Sequence, residues 1–203
     1  MRESKSNAVY IQTEQRLYRL LTGNDSIVRG RLANLRRGAG KRPGDDPRVW
    51  GILFADLPED MMARYGEPSR EEWAIHTALT LFAVHQQGND PHQRGMNQKD
   101  ISLGDAAARL VAADGGDEDA RERVARRFHR VALAPDMAAM AYYLRSFVQL
   151  LRAKDIGLDY PKLAKELYQY QLPDGAASVR LQWGQDFYRA GKDIEANENG
   201  KDE

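Results

Sequence analysis

Residues 121–152 read RERVARRFHRVALAPDMAAMAYYLRSFVQLLR, and the fold class turns on how this stretch is stepped. At 100° per residue its first half separates into two faces. Val124, Phe128 and Val131 fall on one side, at i, i+4 and i+7, while Arg123, Arg126, Arg127 and Arg130 occupy an adjacent arc. Pro135 breaks the pattern, and a second helix is expected from about Asp136, with Met137, Met140, Leu144, Phe147, Val148 and Leu151 on its apolar side. Arg145, Gln149 and Arg152 line up elsewhere, roughly one turn apart. A plain solvated arginine face interleaves Glu with Arg at i,i+4. This stretch hardly does, because only Glu122 and Asp136 are acidic in it. A helix pair that buries one side and crowds guanidinium groups on the other calls for either a polyanion or a solvated arginine face, and the scarcity of Glu weakens the second reading.

Working outward, the 203 residues make one domain or two small ones, enough to bury a real core. Thirty basic and thirty acidic side chains cancel, so any polyanion site must come from uneven distribution of charge. The distribution is uneven. Seven basic residues lie between Arg29 and Arg48 against Asp45 and Asp46, and the 121–152 stretch repeats the bias. The balancing acids sit at Glu71 and Glu72, from Asp114 to Asp119, and after Gly191. The absence of cysteine excludes disulfides, thiolate chemistry and cysteine-based zinc sites. The segment MRESKSNAVY has no apolar signal-peptide core, and no apolar run approaches the ~20 residues that span a bilayer. The expectation is a soluble, cytoplasmic protein with no membrane contact.

Taken in order, Val9 to Leu21 reads as a first helix with Tyr10, Leu17, Leu20 and Leu21 inward, closed by Gly23. Asn24, Asp25 or Ser26 can cap the next, which carries Val28, Leu32 and Leu35 inward and Arg29 and Arg36 outward. It runs into LRRGAGKRPGDDP, residues 35–47, a basic loop with Gly38, Gly40 and Gly44. The loop is not a phosphate-binding Walker A: that motif needs Lys-Ser/Thr opening a helix after a strand, and here Arg42 follows Lys41. Contact of Arg36, Arg37, Lys41 and Arg42 with a phosphate backbone is the reading set against a plain exposed loop. Pro47 to Leu57 is expected to be a short helix with Trp50, Leu53 and Phe54 in the core. Ser69, with Glu72 three residues on, forms a capping-box pattern ahead of a central helix that reaches about Gln87. Residues 88–100, GNDPHQRGMNQKD, lack periodicity and are expected to be a flexible loop. Further helices follow from ISLGDAAARLVAA, from Asp159-Tyr160-Pro161 (Leu163, Leu167, Tyr170 sharing a face) and from Pro173-Asp174 (Val179, Trp183, Phe187). No alternating strand pattern is present. The expected fold is all-α, a two-lobed bundle of about eight to nine helices: an N-terminal lobe over 1–100, a C-terminal lobe over 101–191 and a disordered polar tail over 192–203.

No catalytic constellation is legible. His76, His85, His92 and His129 are scattered, without short metal-ligand spacing or a His-Asp pair, and no Gly-x-Ser-x-Gly elbow occurs. Neither a metal nor a cofactor is expected.

Three segments together resemble the CasB family, the small subunit of the type I-E CRISPR surveillance complex Cascade: LRRGAGKRPGDDPRVW, then ISLGDAAARL, then RRFHRVALAPDMAAMAYYLRSFVQLLRAKDIGLDYPKLAKEL. They come in the family's order and extend over most of the chain. An Ala-rich insertion-like region and the polar tail depart from the pattern. The resemblance implies an all-helical, two-lobed subunit without enzymatic activity. It also implies partners: the backbone filament and large subunit of Cascade, crRNA, target DNA and a second copy of the chain. In that family two copies stack along the crRNA-bearing filament and hold target DNA and the displaced strand while the R-loop forms. By position, the implied nucleic-acid-binding residues are Arg36, Arg37, Arg126, Arg127, Arg130, Arg145, Arg152 and Arg180, followed by Lys41 and Arg123. Two other classes fit an arginine-rich helical chain. A free-standing nucleic-acid-binding protein would need a compact helix-turn-helix, which is not legible, and a purely structural scaffold would pair its arginines with acidic proteins.

Overall fold

A computed structural model describes residues 2–199. Nine α-helices account for most of them: α1 Arg2–Leu21, α2 Asp25–Gly38, α3 Trp50–Leu53, α4 Arg70–His85, α5 Leu103–Ala113, α6 Glu118–Ala132, α7 Met137–Ala153, α8 Tyr160–Tyr170 and α9 Gly175–Asn199. Among the described residues there is no strand, only a single bridge between Asn97 and Leu158. The fold is all-α.

The helices start where a short polar side chain can take a free N–H of the first turn. Asn24 accepts from Ile27, Asp117 from Ala120, Asp136 from Ala139 and Asp159 from Lys162. Ser69 and Ser102 form reciprocal capping boxes with Glu72 and Asp105. Pro135 therefore separates α6 from α7, and Asp136 restarts the helix.

Apolar residues buried all around α4 put that helix at the centre, with α1, α2, α7 and α8 packed on it. Phe128 of α6 is the hub of a second cluster. Its ring lies 5.9 Å from Phe147 of α7, and 6.3 and 5.7 Å from Trp183 and Phe187 of α9. Packing also crosses residue 100: α8 lies against α1 as well as α4. Arg16 of α1 is buried and donates to the carbonyls of Leu53 and Ala55, which ties α3 and its exit to α1.

Three expectations are corrected. Trp50 is 48% exposed: Leu53 takes the buried side of the four-residue α3, and the Trp50 indole N–H is satisfied by the Gly44 carbonyl at 2.7 Å. Residues 88–100 are not a loose loop, because long-range hydrogen bonds hold them. The Gln86 side chain donates to the Arg94 carbonyl and accepts from Met96 N, and Met96 itself is fully buried. Leu158 N donates to the Met96 carbonyl, Gln98 N to the Leu158 carbonyl, Tyr160 N to Asn97 Oδ1 and Asp100 N to Asp159 Oδ2. Finally, α9 continues to Asn199, through positions that composition assigns to a tail, and Ala190 and Ile194 extend its packed stripe beyond Phe187. Residues 200–203 of the expected tail lie outside the described residues.

Candidate nucleic-acid interface

The last turn of α2 carries Arg36 and Arg37, and it ends over α4, where Gly38 lies against Thr80 and His76. The chain then turns through Gly40, which takes φ +81°, a conformation that side-chain-bearing residues rarely adopt. This turn brings Lys41 back beside the end of α2. Asp46 sits below it, a buried carboxylate that accepts from Arg48 through Nε at 2.8 Å and a terminal nitrogen at 2.6 Å, and lies 3.5 Å from Lys41 Nζ. The bonds from Arg48 hold its carboxyl well below the usual range. Asp46 thus remains charged and anchors the loop.

The facing wall is α7. Burial of Met140, Leu144, Phe147, Val148 and Leu151 turns the opposite side of this helix to solvent. Tyr142, Arg145, Ser146 and Gln149 lie along that side at i, i+3, i+4 and i+7, and all are exposed. Arg145 bridges the two walls by donating to the Ala39 carbonyl at 3.3 Å.

Between α2, the loop and α7 lies a groove of about 830 Å³. Arg36, Arg37, Lys41 and Arg145 line it together with Gln87, Tyr142, Ser146 and Gln149, and its lining contains no carboxylate. Arg36 also lines a neighbouring cleft of about 470 Å³, formed with Arg29 and residues 86–92. Burial, and next the Arg37 charge, lower the pKa of Arg36. Arg152 borders the groove through Gln87, donating to its Oε1 at 3.1 Å. Four cations in a groove lined by no acid have the chemistry to take a chain of phosphates, since a guanidinium can hold two phosphate oxygens.

A family model described as CRISPR-associated protein Cse2 matches residues 31–188. The chain belongs to the Cse2 family. The crystal structure of CasB from Thermobifida fusca shares 34% identity with it, with 90% of this chain and 96% of that one aligned at a TM-score of 0.66. The crystal structure of M. ruber CasB, at 22% identity, aligns over 91% of this chain and 97% of that one with a TM-score of 0.63, a likeness of fold. Among curated proteins, none matches. These matches agree with the resemblance to the CasB small subunit of type I-E Cascade, so this is a Cascade small subunit of CRISPR defence.

Of the ten implied binding residues, this Cse2-family chain gathers Arg36, Arg37, Lys41 and Arg145 into one groove, with Arg152 at its border. Arg123, Arg126, Arg127 and Arg130 are exposed on α6 and do not line the groove. No carboxylate among the described residues pairs with these four. Arg180 is exposed on α9 and bonded to the Ala176 carbonyl of its own helix. Tyr142, Ser146 and Gln87 are groove residues that the sequence reading missed; the i, i+3, i+4, i+7 spacing of Tyr142, Arg145, Ser146 and Gln149 was the available signal. Among the described residues no cluster of three or more His, Asp or Glu side chains could hold a metal ion, and no helix is long and apolar enough to cross a membrane.

Proposed function

We propose that this chain is the non-catalytic nucleic-acid-binding subunit of a crRNA-guided Cascade complex, holding target DNA and the displaced strand as the R-loop forms. The observation that carries this reading is the groove between α2 and α7, which Arg36, Arg37, Lys41 and Arg145 line without a carboxylate. Neutralised phosphates release counterions, so binding here is steeply salt-dependent and indifferent to base sequence. Sequence is read by the guide through base pairing. On this reading the exposed arginines of α6 are a second set of phosphate contacts, outside the groove lining. The partners are crRNA, target DNA, the other Cascade subunits and a second copy of the chain. The two-lobe division near residue 100 belongs to the same proposal, with α8 reaching back onto the first lobe.

Replacing Arg36, Arg37 and Arg145 together by Ala tests the reading on assembled Cascade. Target-DNA retention should fall and the slope of log affinity against log salt should flatten by about one unit per lost contact, while assembly is kept. Unchanged retention and slope would refute it. If assembly itself fails while nucleic-acid binding by the isolated chain is unchanged, the arginines serve a scaffold.

A further inference from the structure

Phosphates explain the cations of the groove but not Tyr142. Tyr142 is 66% exposed and is the one aromatic side chain among the residues that line the groove. The other strongly exposed tyrosines, Tyr18, Tyr65 and Tyr188, lie outside this groove. Tyr142 is not a loose side chain either. It packs edge-on with Tyr143, centroids 5.6 Å apart and rings at 68°, and Tyr143 is itself half-buried against the core. An edge-to-face pair engages at most one face of the Tyr142 ring, so the ring is both oriented and open.

A duplex keeps its bases stacked inside and offers such a ring only backbone. An unpaired strand has base faces free, and every base has one, so an aromatic ring beside a row of phosphate-binding cations suits a single strand of any sequence. Resting on the reading of the groove given above, we propose that Tyr142 is a stacking platform for an unpaired base. The groove then selects single-stranded nucleic acid over duplex, with Arg145 and Lys41 holding the flanking phosphates and Ser146 and Gln149 offering hydrogen bonds beside the stacked base. Tyr142 supplies affinity without reading sequence.

The test measures binding of the full-length chain to a 20-nucleotide oligo-dT, to the same strand with abasic positions and to a duplex of equal length. Tyr142→Ala should weaken oligo-dT binding by about 5- to 140-fold, the range for loss of one base–aromatic stack. It should leave duplex binding and the salt slope unchanged, and Tyr142→Trp should restore affinity. The native chain should bind the abasic strand as weakly as Tyr142→Ala binds oligo-dT. If Tyr142→Ala binds oligo-dT like the native chain while Arg36→Ala/Arg37→Ala loses affinity, the platform is wrong and the phosphate groove stands. If none of these variants loses affinity, the groove reading itself has failed. Equal loss on strand and duplex would also overturn the single-strand selectivity. Unchanged thermal unfolding of Tyr142→Ala, which removes an exposed ring, separates these outcomes from misfolding.

Discussion

Trp183 donates its indole N–H to Glu166 Oε2 at 2.7 Å, across the α8–α9 interface, where both side chains are almost wholly buried. The other carboxylate oxygen of Glu166 has no partner, and neither has Asp186 Oδ2. Burial pushes the Glu166 carboxyl up to about 7, against the lowering effect of the Trp183 hydrogen bond. The interface therefore holds a carboxyl group that changes charge near neutral pH.

The sign of the pH effect follows. The folded chain binds this proton more tightly than the unfolded chain, so the group's contribution is fully present below the ordinary value of 4.5 and is lost as pH rises through about 7. Glu166→Gln keeps an oxygen acceptor for Trp183 and removes the charge. It should raise stability at pH 8 by up to about 3 kcal/mol and change it little at pH 4, as read by urea unfolding at both values. A variant that is less stable at pH 8 would contradict this.

Two buried histidines act in the opposite direction. Burial lowers His76 and His85 to about 4, and His85 Nδ1 is hydrogen-bonded to Tyr160 Oη at 2.9 Å. Each favours folding as the neutral ring above its ordinary value of 6.5, and that contribution is lost as pH falls from 6.5 through about 4. At about 2–3 kcal/mol each, the two histidines outweigh the single Glu166 on the acid side. Stability should fall below pH 6, and NMR titration should show both rings still neutral at pH 5.5. A ring titrating near 6.5 would show that its burial is not maintained in solution.

Gly104 sets how closely α5 approaches α9. A β-carbon there would run into the Trp183 carbonyl and lie 2.8 Å from Phe187 N, both rigid backbone. In an open helix Gly→Ala stabilises by about 1 kcal/mol. Here Gly104→Ala should destabilise by about 1–3 kcal/mol, because the two helices must separate. Thermal unfolding decides between the two signs.

Changing Arg126 and Arg130 together to Ala should weaken target-DNA retention and lower the salt slope by up to about two units, with stability changed by less than ~0.5 kcal/mol. Both side chains are exposed on α6, and neither has an ion-pair partner among the described residues. A marked fall in unfolding temperature with retention per folded molecule unchanged would assign them to internal pairing.

Local pattern made α6 and α7 legible, because every inward residue from Val124 to Leu151 recurs at helical spacing and Pro135 marks the break. The 88–100 loop was opaque for the opposite reason. Its order comes from bonds to Leu158, Asp159 and Tyr160, which leave no periodic trace in the loop itself. The far end of α9 was misjudged because its composition is polar, although Ala190 and Ile194 continue the stripe of Val179, Trp183 and Phe187. At the groove, arginine density pointed to the chemistry. Which arginines meet is a matter of packing: Arg36 and Arg145 converge only because α2 and α7 both lie on α4. Tyr142 was hidden by its type, since a tyrosine on an apolar helix reads as core until its neighbours place it outside.

The packing of α1 against α8 has a consequence for how the chain is made. A ribosome adds roughly 5–20 residues per second, so α1 leaves it some 7 to 30 seconds before α8 is complete. For that interval α4 can shield α1 only in part, and the surface that α8 will cover stays open to chaperones and to other nascent chains. A helix made well before its partner is thus among the last to be closed over.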